Sequence, residues 1–236
     1  MTRPLAVIPA FNEAASLAAV VADLRASRTD LDILVVDDGS TDGTASLLDR
    51  LDVRWMRFPE RVGIGTAMRA GLRYGERLGY DVVVRLDGDG QHRAGDVARL
   101  LQPIEERRAD VVLGSRFTEP ARERAGVVGV AQQLLARCLS ALVGHPVTDP
   151  TSGFWALGPR AVRLLAEHLP TGYPEPEMRL FLSRNALRVV EVPVDAWPRL
   201  QGRTSLTPRH LAAAAARVAL AMIVVPLRDR VSGARR

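Results

Sequence analysis

Lysine is missing from this 236-residue sequence, and all 32 of its basic residues are arginines. With Ala, Val and Leu abundant, the bias is one that a GC-rich genome imposes. It still has a chemical consequence, because the planar guanidinium fork binds phosphate in a two-pronged fashion. The net charge of +5 is modest, so a phosphate-bearing small ligand accounts for the arginines without nucleic acid. Cysteine is almost missing: Cys138 stands alone, which excludes an intramolecular disulfide and a cysteine-built zinc site. There is no repeat of fixed period and no Gly/Ser- or Pro-rich linker. Whole-chain disorder does not fit 47% hydrophobic and 25% charged residues. The opening MTRPLAVIPAFNE turns polar without a secretory apolar core, so the expected compartment is the reducing cytoplasm. Long apolar runs are lacking too. Only 211–227 nears the length of a membrane span, and Arg217 interrupts it while Pro226 ends it. Neither a Ser-His-Asp spacing nor a Gly-x-x-x-x-Gly-Lys phosphate loop is present.

What is there is an alternation of short β-branched runs with amphipathic ones, the pattern of βαβ units around a mostly parallel sheet. Strands are expected at 5–8, 33–36, 53–58, 82–86 and 111–113. Helices are expected at 13–26, from a Ser40 or Thr41 cap through 51, at 64–78 and at 96–107. The run at 33–36 is too apolar to alternate, which implies helices on both faces of the sheet. After 116 the pattern changes. A charged loop at 118–126 precedes a helix at 130–143, and 149–157 reads as loop then strand. Helices follow at 159–168 and 177–186, a strand at 189–194, a loop at 199–207 and a last helix from His210. One domain over 1–236 is expected, with its first half ending at about 116, its second at about 207, and a C-terminal helix at 208–236.

Ligands of parallel α/β sheets collect where strands end at their carboxyl edge. Four polar clusters fall there, at 9–13, 37–40, 87–91 and 114–116. A single strand-end carboxylate is usually a turn residue or a helix cap, but four clusters in succession are more simply explained by one shared cleft. Asp87-Gly88-Asp89 with Gln91 is the sharpest of them. Two carboxylates and an amide oxygen at alternate positions are hard donors suited to Mg²⁺ or Mn²⁺, with water and phosphate oxygens completing the shell. The plainer alternative is an Asp-Gly turn bearing solvated acids. Asp37 and Asp38 could accept hydrogen bonds from a base or from ribose hydroxyls, or one could cap the next helix. The glycines at 63–67 follow the third strand instead of the first, so they are not a nicotinamide signal. Arg116, Arg199 and Arg203 sit at strand ends or loops, where a cleft mouth can use them on phosphate. His92 lies near the acids, and none of the four histidines is assigned to metal.

In order, PAFNE, VVDDGSTDGT, DGDGQH, GSRF, TSGF and a late R-x-x-G loop resemble the family 2 glycosyltransferases. Within that family the likeness is to the dolichol- or polyprenyl-phosphate mannose synthase-like branch, and it runs from about residue 5 to 205. The resemblance implies a GT-A (Rossmann-like) α/β fold, a GDP- or UDP-sugar donor, and Mg²⁺ or Mn²⁺. On it, 1–116 becomes the nucleotide-sugar half and 117–207 the acceptor half. Pro9, Phe11 and Glu13 would line the nucleotide site, with Phe11 where the family often has tyrosine. Val36 and Asp38 would contact base and ribose. Gly88, Asp89 and Gln91 match the metal and diphosphate segment with Asp87 beside them, which makes Asp87, Asp89 and Gln91 the expected metal ligands. Arg116 and Arg199 match arginines that contact donor or acceptor phosphates. Asp89, Arg116, Arg199 and Glu177 are the expected catalytic residues.

Two departures bear on the acceptor. The lipid-phosphate branch usually carries lysine late in its R-x-x-G loop, where this chain has Ser205, with Arg203 nearby. Around Glu175 and Glu177 other family members place an acid that deprotonates an acceptor hydroxyl, whereas a phosphate acceptor is already an anion. Glu177, with Glu175 as its substitute, either serves as that base or simply begins a helix. The resemblance therefore implies inverting hexosyl transfer to a polyprenyl-phosphate-type acceptor, or to a small hydroxyl acceptor with Glu177 as base. A sugar nucleotidyltransferase would need a glycine-rich basic loop after the first strand, where PAFNE stands, and a non-catalytic nucleotide-binding module would not need the acids. The segment 208–236, apolar with arginines at its end, could lie at the inner face of a membrane, pack on the body or join two copies in a homo-oligomer.

Overall fold

Strand runs such as LAVI and ILVV, apolar on both sides, are satisfied only between two helical layers. A computed structural model of the protein describes residues 3–28, 30–118, 126–170, 174–195 and 197. In it β1 (Pro4–Ala10), β2 (Asp32–Asp37), β3 (Arg54–Arg57), β4 (Val82–Arg85), β5 (Val111–Ser115), β6 (Trp155–Leu157) and β7 (Val189–Pro193) form one sheet. Its order is β3-β2-β1-β4-β6-β5-β7. Every pairing is parallel except those of β6, which runs antiparallel to both β4 and β5.

Side-chain alternation divides the core in two. Ala6, Ile8, Ile33, Val35, Val82 and Val84 pack under α1 (Leu17–Ser27), α2 (Thr44–Leu48) and α4 (Val97–Glu105). Leu5, Val7, Leu34, Val36 and Val83 pack under α3 (Ile64–Arg77), α6 (Pro159–His168) and α7 (Pro174–Arg184). The long α5 (Gly126–Val143) instead rests on α7, through Leu135, Leu139, Val147 and Leu180. The expected α/β sheet with helices on both faces is the one observed.

Several boundaries differ, each for a local reason. The first helix starts at Leu17, because Glu13 closes a turn in which its carbonyl accepts from Ser16 N and Leu17 N. Neither Ser40 nor Thr41 caps α2: Ser40 Oγ accepts from Asn12 N at 2.9 Å, and Asp42 Oδ1 accepts from Thr44 N at 2.9 Å. That shift leaves α2 with five residues. Helix α7 begins three residues earlier than expected, at Pro174, a residue suited to the first helical turn because it has no N–H to leave unpaired. The expected loop at 199–207 and helix from His210 lie outside the described residues.

The antiparallel β6 matters for function. Inserted between β4 and β5 with the opposite direction, it begins at the edge where its two neighbours end. The TSGF segment is thereby carried to the carboxyl edge beside Asp87 and Arg116. No helix among the described residues is long and apolar enough to cross a membrane.

Candidate active site

Strand register sets the floor. Pairs from Leu5↔Asp32 to Ala10↔Asp37 bring the ends of β1 and β2 level, and β4 runs on the other side of β1. The three following loops therefore adjoin. Asn12, at φ 58, turns its Oδ1 to accept from Thr41 N at 2.9 Å, tying the PAFNE turn to the DDGST loop. Asn tolerates that left-handed backbone better than most residues. Ser16, only 1% exposed, places its Oγ 2.7 Å from Gly88 O and 2.9 Å from Glu13 Oε2, so its one proton is shared between the PAFNE turn and the DGD segment. Nothing in the local sequence marks Ser16 as anything but a helix start.

The second loop is held from below. Asp38 Oδ1 accepts from Val62 N at 2.7 Å, and Gly63 N reaches Oδ1 at 3.1 Å and Oδ2 at 3.0 Å. The carboxylate expected to meet ribose thus anchors the 61–63 loop. Asp37 accepts from Ser40 N at 2.9 Å and pairs with Arg57 Nε at 3.2 Å. Gly39, at φ 72, has no alternative: a Cβ there would stand 2.5 Å from the Glu60 carbonyl carbon. Pro9 is buried at the end of β1, and the Arg61 guanidinium lies 4.2 Å above the Phe11 ring. Val36 is wholly buried in the α3-side core, so its side chain meets the core.

The third loop carries the acids. Asp89, 2% exposed, accepts from Gln91 N through Oδ1 at 2.9 Å, an Asx-type turn that fixes the loop. Asp87 N donates to His92 Nδ1 at 3.1 Å, so the other ring nitrogen of a neutral His92 carries the proton. Burial pushes the His92 imidazole below its ordinary value, opposed by the charges of Asp87 and Asp89. Its ring stacks on Phe154 at 4.7 Å. His92 thereby braces the turn. The chain returns to this loop after β7, where Trp197 N donates to Gln91 O at 3.3 Å and Arg93 covers the Trp197 ring at 3.8 Å. Arg199, two residues further on, lies outside the described residues, as do Arg203 and Ser205.

Behind the acids sits Arg85, which ends the buried run of β4. It donates to Asp87 Oδ1 at 3.2 Å and to Glu175 Oε1 at 2.8 Å. Burial opposes its charge, but the two carboxylates outweigh burial and raise its pKa. Burial pushes the Glu175 carboxyl up, with Arg85 opposing. Of the two α7 acids, it is Glu175 that pairs with Arg85. Glu177 is half-buried, and residues two apart on a helix do not face each other.

At the end of β5, Arg116 grips Asp149 and also donates to Thr151 Oγ1 at 3.0 Å, which receives Gln132 of α5 at 2.9 Å. Burial alone would lower the Arg116 pKa; Asp149, then Asp87, raise it. The site that emerges has two acids in an ordered loop, a half-exposed arginine beside them and the PAFNE and DDGST loops to one side. An arrangement of this kind suits a diphosphate better than an uncharged ligand.

Comparison with known proteins identifies the family. Residues 5–143 match the sequence profile described as Glycosyl transferase family 2. The chain belongs to that family. Among family 2 relatives, the undecaprenyl-phosphate mannosyltransferase of Micrococcus luteus is 33% identical over 220 residues, covering 87% of this chain and 88% of that protein. The UDP-N-acetylglucosamine–dolichyl-phosphate N-acetylglucosaminyltransferase of Methanococcus voltae is 30% identical over 80% of this chain and 83% of its own length. These names support the polyprenyl-phosphate branch of the family. In fold the chain matches glucosyl-3-phosphoglycerate synthase from Mycobacterium tuberculosis, whose structure holds Mn²⁺, UDP and phosphoglyceric acid. The TM-score is 0.73 at 23% identity, over 98% of this chain and 81% of that one. The protein is a GT-A family 2 glycosyltransferase.

Proposed function

We propose that this glycosyltransferase moves a hexosyl group, with inversion, from a GDP- or UDP-sugar to a polyprenyl-phosphate-type acceptor. The observation that carries the reading is the meeting of Asp87, Asp89 and Arg116 at one sheet edge, beside the PAFNE and DDGST loops. Asp87, Asp89 and Gln91 would hold Mg²⁺ or Mn²⁺. Among the described residues no three His, Cys, Asp or Glu side chains form a metal cage. Two hard carboxylates fit a cation that takes its remaining ligands from water and the donor's phosphates. Such an ion neutralises negative charge gathering on a departing diphosphate.

The chain's own groups do the rest. Pro9, Phe11 and Glu13 border the nucleotide, while the DDGST loop, braced by Asp38, shapes the base and ribose side. Arg116 offers its exposed edge to phosphate oxygens, and Arg199, two residues after Trp197 in sequence, is the second arginine assigned to phosphate. The acceptor oxygen attacks the anomeric carbon from the face opposite the diphosphate, so the new carbon–oxygen bond forms as the old one breaks. A phosphate oxygen is already ionised at neutral pH and asks for no base. The commitment of Glu175 to Arg85 supports that choice, and so do the names of the two relatives. An acceptor of this kind brings the enzyme to the inner face of a membrane, with 208–236 as one candidate contact.

The test is transfer from labelled GDP-mannose, UDP-glucose and UDP-N-acetylglucosamine to a short polyprenyl phosphate, with Mg²⁺, with Mn²⁺ and with chelator. Label entering the organic phase only when metal is present supports the reading. Label passing solely to water-soluble hydroxyl acceptors would overturn the acceptor assignment.

A further inference from the structure

Arg85 is a cation where charge is costly. Its side chain is 2% exposed, and all four residues of β4 are buried. Strand alternation places it on the same side as Val83, the α3/α6/α7 face, where its guanidinium lies 4.4 Å from the Trp155 ring centroid. A buried guanidinium persists when opposite charges and hydrogen bonds surround it. Here Nη1 serves Glu175 and Nη2 serves Asp87, while Nε is buried without a partner among the described residues. The two pairs are unequal. The 2.8 Å bond to Glu175 anchors the cation, and the 3.2 Å bond to Asp87 is the looser of the two.

The contact also depends on a third segment. A Cβ on Gly153 would stand 3.0 Å from Arg85 Nη2 and 3.0 Å from Asp87 Oδ2. The glycine of the TSGF segment, delivered by the antiparallel β6, is therefore what lets arginine and acid meet. Three separate stretches of chain, β4, the turn before β6 and the first turn of α7, converge on the orientation of one carboxylate.

We propose that Arg85 is a positioning residue for the donor site: anchored by Glu175, it orients the Asp87 carboxylate and makes cation and diphosphate binding depend on the seating of α7. This rests on the reading of Asp87 and Asp89 as the donor diphosphate segment. Arg85 competes with an incoming divalent cation for Asp87, and it also offsets the repulsion between Asp87 and Asp89. Glu175 tempers that competition by holding the guanidinium on its own side. Neutralising Glu175 turns the full charge of Arg85 onto Asp87. Shortening Arg85 withdraws this guide from Asp87.

The experiment titrates GDP and UDP, each with and without Mn²⁺, into wild-type protein and into Arg85→Lys, Glu175→Gln, Gly153→Ala and Asp89→Asn, by calorimetry, with melting curves in parallel. Arg85→Lys and Glu175→Gln should weaken Mn²⁺-dependent nucleotide binding by roughly 10–100-fold, the range typical of groups that orient metal ligands. Binding without Mn²⁺ should not change, and Gly153→Ala should weaken the Mn²⁺-dependent binding in the same direction. A purely structural role would lower the melting temperature and leave the affinity of the folded protein unaltered. Should Arg85→Lys not fold, Glu175→Gln and Gly153→Ala carry the test. Wild-type Mn²⁺-dependent affinity in both would overturn the positioning role. If Asp89→Asn also keeps that affinity, it is the donor-site reading that falls; if Asp89→Asn alone loses it, only the role of Arg85 does.

Discussion

Arg116 and Asp149, 33 residues apart, meet in a two-pronged ion pair, Nε to Oδ2 at 2.7 Å and Nη2 to Oδ1 at 2.9 Å. The acid is wholly buried and the arginine 31% exposed, so the buried partner aims the exposed one at the ligand edge. Burial would raise the Asp149 carboxyl, but its bonds to Arg116 outweigh burial and hold it below the usual carboxylate range. Its contribution to stability is therefore full above about pH 4 and lost as pH falls through the depressed folded value. Asp149→Asn should cost on the order of 2 kcal/mol at neutral pH, less than a fully enclosed pair because Arg116 can turn toward water. It should also flatten the acid limb of the stability curve. Urea unfolding at pH 7 and across the acid range measures both.

Asp38 separates anchoring from ligand contact. Its carboxylate serves the amides of Val62 and Gly63, and Asp38→Ala would take a charged acceptor from both of these partly buried donors. A loss of about 1–3 kcal/mol is expected. Asp38→Asn, which keeps one acceptor oxygen, should lose markedly less. If Asp38 acts on ribose alone, the alanine variant would unfold like wild type and show only weaker donor binding.

The carboxyl-edge clusters were legible because strand runs and the polar residues that end them are local features of the chain. So were α3 and α6, with their clean helical periods. The partnerships were not. Arg85 and Glu175 are 90 residues apart, and only a seven-stranded sheet with β6 inserted antiparallel brings them together. One signal was available: a lone arginine closing the run Val-Val-Val-Arg-Leu must find an acid once that strand is buried. Ser16 and Gly153 gave no comparable sign, since a small residue announces neither a shared proton nor a close approach. The early start of α7 was readable from Pro174, and it places both Glu175 and Glu177 in the helix's first turn.

Asp89→Ala tests the metal assignment directly. Its carboxylate closes the turn onto Gln91 N, so a modest fall in melting temperature is expected with the fold retained. Loss of a direct ligand should reduce metal-dependent turnover by more than the roughly 10–100-fold seen for groups that merely support ligands. Circular dichroism and steady-state rates across a Mn²⁺ series supply the two readings. Unchanged transfer would remove Asp89 from the metal site.

Glu177 distinguishes the acceptors. It is half-buried in the first turn of α7, two residues from the acid that holds Arg85. If the acceptor is a phosphate, no proton need be abstracted, and Glu177→Gln should leave transfer to polyprenyl phosphate within about threefold of wild type, well short of a general base's roughly 10²–10⁴-fold contribution. Its pH–rate profile should keep the wild-type shape. If the acceptor is a neutral hydroxyl, the same variant should lose transfer by that larger factor and lose the rising limb of the profile, with donor binding unaffected. The two outcomes differ by at least about tenfold, so a single pair of pH–rate curves on one acceptor tells whether the α7 acid moves a proton or only starts a helix.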